Sequence, residues 1–397
     1  MARTDSQQSI IEQFEAVGSI DSRFENIECV SPSVSGEKKG CFSIIFTADD
    51  IAEGKKAAIK LMDPDWLGDK YRLAGFDREP EILNRLIHKR RCLKLIYGPK
   101  PFDWQIQMPG GGTGVFKVNY FISEWLDVDV EPYFLDQQSY DALVKLKIFR
   151  NVVLAVDAIH SEDVSHRDIK ADNFRGFKDR NELTIALIDF GTAAHLENPL
   201  VTDSIEYPKF SVGAAAFSGP EAFVGFASCR EIGKLTDIYA LGGLLYQLFN
   251  LELFGKARAD NVDFEPVLTY LSKMLAPLSN DMDKINVWTR EVQKIKYLLE
   301  PPKIDGPGST LPKSIIYLIS KIHKEMTLFD FTERTSNLKP VIIAIDSAIR
   351  VLENHRLDQI KLERKRNIRR LRKEKIKRRE QKITEYLSRK QLLVEKC

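Results

Sequence analysis

The feature of this chain that most constrains its fold is a change in the spacing of its apolar residues near Ser139. Before that point, residues 24–125 contain short segments rich in Ile, Val, Phe and Tyr and bounded by Gly, Pro or Asp, which is typical of β-strands. After it, apolar residues recur every three or four positions, as in residues 140–160, which is typical of amphipathic helices. The sequence therefore predicts an α+β fold with a small strand-rich lobe, a larger helical lobe and a cleft between them.

Composition agrees with a folded protein that has room for two cores. The 397 residues are 43% hydrophobic and 29% charged, which is ordinary for globular domains. No stretch approaches the length of an apolar membrane helix, the start lacks an apolar signal core, and the five scattered cysteines form no CxxC pair. We expect a cytoplasmic protein, or a nuclear one if its source is eukaryotic, with no transmembrane segment, disulfide framework or zinc site.

Two short polar motifs carry the candidate chemistry of the chain. Residues 165–174 read SHRDIKADNF, and residues 189–191 read DFG after a hairpin-like segment. This pattern places two carboxylates and an amide, Asp168, Asp189 and Asn173, on the loops of one strand pair. Phosphoryl transfer needs one carboxylate to orient or deprotonate the attacking hydroxyl, and another, with an amide oxygen, to hold Mg²⁺. Ordinary turn residues would explain one of these motifs but not both at this separation.

With these motifs the chain resembles the eukaryotic-type protein kinases over residues 24–350. The resemblance implies a bilobal protein kinase fold, ATP and Mg²⁺ as cofactors, and protein substrates phosphorylated on Ser or Thr. It implies that Asp168 is the catalytic base and that Lys170 stabilises the transferred phosphoryl group and favours Ser or Thr over Tyr. It also implies that Asn173 and Asp189 bind magnesium.

Upstream, the strand segment AAIK offers Lys60 as the lysine that binds the α- and β-phosphates in this family. Its expected partner is a helix glutamate, for which Glu79 matches the family spacing and Glu81 is the alternative. Pro80 lies between them, and proline is tolerated in the first turn of a helix but breaks its interior. We therefore expect this helix to start late or to sit differently from its counterparts.

The phosphate-covering hairpin of the family falls on the segment KKGCFSII. Gly40 takes the central glycine position and Phe42 the tip, while Lys38 and Ser43 stand where two further glycines are expected. The loop is therefore predicted to be stiffer and bulkier than usual. The more glycine-rich segment PGGGTG, residues 109–114, lies between two predicted strands and is predicted to be a hairpin turn remote from the phosphates.

The strand after that turn leads to Ser123, the expected gatekeeper. The backbone of the following hinge, from Glu124 to Leu126, is expected to bind adenine. Further on, Glu221 in SGPE is expected to form a buried structural ion pair with Arg334.

Asp237 matches the family's helix aspartate that braces the catalytic loop. Hydroxyl side chains between Asp189 and Glu221 include those of Thr202, Ser204, Tyr207 and Ser211. A phosphate on one of them could pair with Arg167 and order the segment, while an unmodified solvated loop is the alternative.

One departure from the family lies seven residues before Glu221. Many Ser/Thr kinases have a threonine there that bonds to the catalytic aspartate and lysine, but this chain has Ala214. The substitution puts substrate presentation and part of the rate in doubt.

The predicted domains are a helical extension at 1–23, an N-terminal lobe at 24–126, a C-terminal lobe at 127–352 and a basic helical tail at 353–397. The second lobe is longer than the family core, with an insertion near residues 255–312 that serves either partner docking or extra packing.

The tail differs sharply in charge from the rest of the chain. Residues 353–397 hold 17 Lys and Arg against 7 Asp and Glu, a net of +10, and no Gly or Pro occurs after residue 340. The most basic part, residues 361–382, is predicted to be a helix that binds nucleic acid or another polyanion. A solvated helix without a partner, nuclear import and autoinhibition are the alternatives.

Three functions remain open at this stage. The first is an active protein Ser/Thr kinase that also phosphorylates itself. The second is a weakly active or inactive kinase-fold scaffold that the basic tail tethers to a polyanion. The third is a small-molecule kinase on the antibiotic- or choline-kinase plan, which Lys170 and the Glu221–Arg334 pair disfavour.

Overall fold

A six-stranded antiparallel sheet forms the first lobe of the protein. The computed structural model describes residues 3–31, 42–108, 110–136, 139–179, 182–196, 213–226, 229, 232–250 and 252–394, with backbone alone at 359 and 376–394. The strands are β1 (Ser19–Ile20), β2 (Phe24–Cys29), β3 (Ser43–Asp50), β4 (Lys55–Met62), β5 (Leu95–Gln107) and β6 (Thr113–Glu124). Their order across the sheet is β1-β2-β3-β4-β6-β5. The predicted strand-rich region is confirmed.

The glycine-rich segment is the turn that joins β5 to β6. The Met108 amide donates to the Gly112 carbonyl at 2.8 Å, and Gly110, Gly111 and Gly112 all have positive φ, which glycine adopts without steric cost. An added Cβ at any of these three glycines would meet no atom within 4 Å. The prediction of a hairpin turn is confirmed, and the turn lies at the opposite end of β6 from Glu124.

The first helix, α1 (Asp5–Glu15), is packed against this sheet. Thr4 caps it with a reciprocal side-chain pair to Gln7, and its Ile10, Ile11 and Phe14 side chains are buried. The Phe14 ring centroid lies 4.8 to 5.4 Å from the rings of three residues of the sheet: Phe46, Phe102 and Tyr120. The predicted N-terminal extension therefore contributes to the core of the lobe.

Helix α2 (Lys70–Arg85) starts ten residues before Pro80, so the prediction of a late start is wrong. Two features offset the backbone hydrogen bond that proline removes. The Asp69 carboxylate caps the helix by accepting from the amides of Tyr71 and Arg72 at 3.0 and 3.1 Å. Apolar side chains along the helix are buried against the lobe, among them Phe76, Ile82 and Leu83.

The second lobe is mainly helical, as predicted. Its helices are α3 (Pro132–Leu135), α4 (Ala142–His160), α5 (Gly233–Phe249), α6 (Phe254–Ala259), α7 (Phe264–Leu275), α8 (Asp281–Ile295), α9 (Ile316–Thr327) and α10 (Lys339–Val394). Helix α5 is buried over nearly all of its length, so it is the centre of this core. Short strands complete the lobe: β7 (Val128–Asp129), β8 (Val164–Ser165), β9 (Phe174–Asp179), β10 (Glu182–Leu187) and β11 (Ala194–His195).

The region predicted as an insertion, residues 255–312, contains α7 and α8, whose apolar side chains share a second hydrophobic cluster with residues of the lobe such as Phe226, Phe329 and Phe331. The buried Trp288 ring stacks on Phe329 at 5.5 Å and on Phe331 at 4.9 Å between centroids. Aromatic stacking of this kind adds to the stabilisation from burial. The region is thus anchored to the lobe, and its role in docking stays a prediction.

Helix α10 runs without a break through the predicted boundary at residue 353. Its first part is buried on the lobe through Ile345, Ala348 and Ile349, and Lys147 of α4 pairs with Glu353 at 2.7 Å. No helix in the described part of the chain is long and apolar enough to cross a lipid bilayer.

The burial of α1 predicts that replacing one ring destabilises the first lobe. Phe14→Ala removes a side chain that is 1% exposed, and truncation of a buried phenylalanine costs about 3 to 5 kcal/mol in unfolding free energy. Urea unfolding followed by tryptophan fluorescence measures the change. The control is Val17→Ala, at a side chain just beyond the helix that is 44% exposed, where we expect under about 0.5 kcal/mol. Equal effects of the two substitutions would show that α1 is not part of the core.

Candidate active site

A largely buried lysine joins three elements at the edge of the sheet lobe. Lys60 lies in β4, where it pairs with Ile45 on one side and Phe121 on the other. Its ammonium is 2.7 Å from the Glu79 carboxylate of α2 and 2.8 Å from the Asp189 carboxylate of the DFG motif. Of the two glutamates considered from the sequence, the structure thus brings Glu79 to Lys60.

Electrostatics favour the charged forms of Lys60 and Asp189, whereas burial raises the pKa of the Glu79 carboxyl above its ordinary value. Burial alone would lower the pKa of the Lys60 ammonium, but attraction to Asp189 and Glu79 raises it above its ordinary value. Burial alone would raise the pKa of the Asp189 carboxyl, but Lys60 lowers it to about 2. At neutral pH the site therefore holds a fixed cation and a carboxylate that is free of its proton, as metal binding requires.

The DFG motif is also attached to α2 through the backbone. The Phe190 amide donates to the second oxygen of Glu79 at 3.0 Å. Gly75 approaches the motif so closely that a Cβ there would lie 2.6 Å from the Gly191 carbonyl oxygen. Asp189 itself has a φ of 59°, a strained conformation that is frequent at functional sites.

The second polar motif forms a compact loop after β8. The Asn173 amide donates to the Asp168 backbone carbonyl at 2.7 Å and to its carboxylate at 2.9 Å. The Lys170 ammonium lies 3.4 Å from the Asp168 carboxylate and 3.3 Å from that of Asp172. A short 3₁₀ helix, Ala171–Asn173, and the hairpin of β9 and β10 bring this loop to the DFG motif.

The segment that contains Ala214 contacts this loop through its backbone. The Ala214 amide donates to the other oxygen of the Asp168 carboxylate at 2.6 Å. The preceding Gly213 has a φ of 82°, and a Cβ there would be 2.3 Å from the Arg167 carbonyl oxygen. A backbone N–H therefore bonds to the carboxylate where a threonine hydroxyl was expected. Sequence reasoning missed this contact, although a glycine just before Ala214 was a signal for it.

Asp237 of α5 holds the backbone of the loop just before Asp168. Its carboxylate accepts the amides of His166 and Arg167 at 2.8 and 2.7 Å and bonds the His160 ring at 2.9 Å. Burial opposes ionisation of Asp237, but these bonds and the nearby histidines lower its pKa below the ordinary value. Arg167 has a φ of 65°, and its Nε donates to the Thr192 carbonyl at 2.7 Å.

Glu221 and Arg334 form a buried ion pair, as the sequence predicts. The two side chains are fully buried and make two hydrogen bonds, at 2.7 and 3.1 Å. The Arg334 guanidinium also donates to the carbonyls of Leu235 and Leu328. Because every oxygen and nitrogen of this pair has a partner, it joins three parts of the second lobe.

The remaining predicted residues are distributed as follows. Phe42 and Ser43 lie beside Lys60 and Asp189 around one small cavity. Ser123 and Glu124 end β6, and the Glu124 backbone amide donates to the Lys94 carbonyl at 3.0 Å, while Leu126 follows the strand. Six predicted residues lie outside the described part of the chain: Lys38, Gly40, Thr202, Ser204, Tyr207 and Ser211.

Comparison with known proteins agrees with this geometry. A model of the protein kinase domain matches residues 38–326, which is more than half of the chain and includes both polar motifs. The chain belongs to the protein kinase domain family. Its fold is accordingly the bilobal kinase fold, with the long helix α10 after the kinase domain.

Relatives come from distant sources. Over 275 residues, 68% of this chain, it is 29% identical to maternal embryonic leucine zipper kinase of Xenopus laevis, of which it covers 34%. It is 25% identical to a probable serine/threonine-protein kinase 2 of Plasmodium falciparum, with 57% of this chain and 38% of the relative aligned. It is 27% identical to the interferon-induced, double-stranded RNA-activated protein kinase of Rattus norvegicus, with 62% and 44% aligned. This chain therefore aligns with less than half of the length of each of these three relatives.

Because Gly213 lies against Arg167 and Asp168, adding a methyl group at this position is expected to destabilise the loop contact. Gly213→Ala forces the segment away from Asp168, because the new Cβ would meet the Arg167 carbonyl. We expect faster hydrogen exchange at the Ala214 amide and a lower melting temperature. The matched control is Gly225→Ala, which has a similar φ of 94° but open space around the Cβ, and which carries only the roughly 1 to 2 kcal/mol cost of the left-handed backbone. Unchanged exchange at Ala214 would contradict the contact.

Proposed function

We propose that this kinase domain is an active, ATP-dependent protein Ser/Thr kinase that also phosphorylates itself. The observation that supports activity most directly is the position of Lys60, which contacts the helix glutamate Glu79 and the DFG aspartate Asp189 together. Kinases require this ion pair and this aspartate in place for phosphoryl transfer.

The residues that would hold Mg²⁺·ATP carry the functional groups that the metal and the phosphates require. Asp189 and Asn173 offer a carboxylate and an amide oxygen, and Mg²⁺ prefers a few such oxygens with water and phosphate oxygens completing its shell. Lys60 would bind the nucleotide phosphates, and the hinge from Glu124 to Leu126 would bind adenine through its backbone. The bound Mg²⁺·ATP supplies the transferable phosphoryl group and the metal charge that offsets its oxygens.

The catalytic work of the chain itself then falls on two side chains. Asp168 would accept a hydrogen bond from the substrate hydroxyl and take its proton, since a positioned carboxylate serves as general base. Both of its oxygens already accept bonds, from Asn173 on one side and Ala214 on the other, which orients the carboxylate. The Lys170 ammonium beside it would stabilise negative charge on the transferred group.

The choice of Ser and Thr as acceptors rests on Lys170 and on relatives. Two of the relatives above are named kinases without a stated acceptor, and the Plasmodium relative is named a serine/threonine-protein kinase. Another, PknD of Chlamydia trachomatis, carries the same description at 27% identity. The contact of the Ala214 amide with Asp168 favours this function over the scaffold alternative, because it supplies the bond that the missing threonine would have made.

Intact-mass spectrometry after incubation with Mg²⁺·ATP tests this function. We expect the unmodified chain to gain the mass of one or more phosphoryl groups and to phosphorylate a generic Ser/Thr peptide. Asp189→Asn and Asp168→Asn are expected to lower the rate by at least about 100-fold, since general-base and charge-stabilising groups contribute that much. Asp103→Asn, at an exposed carboxylate of β5, is the control and should leave the rate unchanged.

Two outcomes would exclude the proposal. If the chain binds ATP but transfers no phosphoryl group to itself or to a peptide, the scaffold function replaces it. If small alcohols are phosphorylated and proteins are not, the small-molecule alternative replaces it.

We also propose that the basic tail binds a polyanion such as nucleic acid. Residues 361–375 hold nine Lys and Arg against two Glu, and the described side chains from 354 to 375 are exposed along α10. Charges on all sides of an exposed helix favour sequence-independent contact with phosphates, which releases counterions and is salt-sensitive.

Deletion of residues 356–397 is expected to abolish retention on heparin or nucleic acid at about 0.1 M salt while peptide phosphorylation continues. The matched variant keeps the helix and replaces three cations, Arg369→Gln, Arg370→Gln and Arg372→Gln, because glutamine has a similar helix propensity. It should elute at lower salt than the unmodified chain. Equal retention of all three proteins would show that the tail is a solvated helix without this partner.

A further inference from the structure

The cavity beside Lys60 contains more polar groups than the family pattern assigns to it. Besides Lys60, Glu79 and Asp189, it is lined by Phe42 and Ser43 from the start of β3 and by Arg72 from the first turn of α2. Arg72 precedes Glu79 by seven residues, which is two helical turns, so the two side chains project from the same face of the helix. Arg72 is not part of any of the sequence motifs described above.

The Arg72 guanidinium is held in place by two aromatic rings. It lies 3.3 Å from the ring centroid of Trp66, in the turn that follows β4, and 4.4 Å from that of Phe42. The two rings meet edge to face at 6.4 Å. Stacking on aromatic faces leaves the in-plane N–H donors of an arginine available, because only its flat surfaces are covered.

One of these donors has no partner within the described part of the chain. The Nε atom pairs with Asp69 at 3.3 Å, but Nη1 is buried from solvent and makes no hydrogen bond to any described residue. A buried donor without a partner costs about 1 to 3 kcal/mol in other proteins, so such groups mark places where a ligand supplies the partner.

Ser43 presents a second group of this kind in the same cavity. The residue is 5% exposed, and its Oγ is buried without a hydrogen-bond partner among the described residues. It occupies a position where the kinase family has a glycine, whose backbone would approach the phosphates. Glycine has no side chain at this position, whereas the serine hydroxyl can donate a hydrogen bond to a ligand in the cavity.

The charges of the cavity indicate what kind of ligand these donors fit. Lys60 is already neutralised by two carboxylates, Glu79 and Asp189, at 2.7 and 2.8 Å. Arg72 adds a second cation to the cavity, with a buried donor that has no partner among the described residues, and Ser43 adds a neutral donor of the same kind. An acceptor with several anionic oxygens satisfies both groups at once.

We propose that Arg72 and Ser43 bind the phosphates of the nucleotide and thereby replace the missing glycines of the phosphate-covering hairpin. The stack of Phe42, Arg72 and Trp66 positions the guanidinium, and the two unpaired donors contact phosphate oxygens. This inference rests on the proposed nucleotide-dependent function and names further residues of the same site.

Isothermal titration calorimetry of the full chain with adenosine, Mg²⁺·ADP and Mg²⁺·ATP tests this assignment. Arg72→Gln should weaken ATP binding about tenfold to hundredfold, because a charge-assisted hydrogen bond is lost, and Ser43→Ala should weaken it a few-fold. Neither substitution should change adenosine binding, since adenosine has no phosphate. Lys70→Gln, at an exposed cation two residues before Arg72, is the control and should leave all three affinities unchanged.

The outcomes separate the inference from the function on which it rests. If Arg72→Gln weakens adenosine and ATP equally, Arg72 only supports the hairpin and the assignment is wrong. If neither variant changes ATP binding while the unmodified chain binds ATP, the assignment also fails and the proposed function stands. If the unmodified chain binds none of the three ligands, the proposed function itself fails. Ser43→Ala, which removes one atom, keeps the test valid should Arg72→Gln reduce folding.

Discussion

The arrangement of this protein depends on one largely buried cation. A lysine that is mostly withdrawn from water requires a counter-charge, because an unpaired buried charge is among the most costly groups in a folded protein. Lys60 obtains two, from Glu79 of α2 and Asp189 of the DFG motif. Each contact fixes a different element against β4, so the sheet, the helix and the DFG motif take up one common geometry.

A second set of constraints positions the Asp168 carboxylate. Asp237 accepts the backbone amides just before it, Asn173 donates to one of its oxygens, and Ala214 donates to the other. Ala214 donates from its backbone and Asn173 from its side chain, so both carboxylate oxygens are held without a hydroxyl partner. At position 214 a backbone amide thus makes a bond to the aspartate that a threonine hydroxyl makes in many Ser/Thr kinases.

The sequence was informative where chemistry needs a particular residue at a particular spacing. The polar motifs, Lys60, Glu79 and the Glu221–Arg334 pair could all be located from their neighbours along the chain, as could the strands and the hairpin turn at Gly110–Gly112. Pro80 misled the prediction of where α2 begins. Proline disfavours a helix interior locally, but the Asp69 cap and the burial of apolar side chains stabilise α2 around it. The contacts of Ala214 and Arg72 could not be inferred, because they depend on tertiary packing against Asp168 and Phe42 that no sequence motif marks.

What the sequence determined by itself is the family, the order of strands and helices, and the identity of the groups that can exchange protons, bind a metal or carry charge. These follow from local spacing and residue type. Tertiary structure alone decided which of these groups meet: that the Ala214 amide reaches Asp168, that α1 packs its Phe14 into the sheet, and that the unpaired donors of Arg72 and Ser43 line one cavity. The physical reason is that hydrogen bonds and burial act over a few ångströms in space, and distance in space is set by packing rather than by position along the chain.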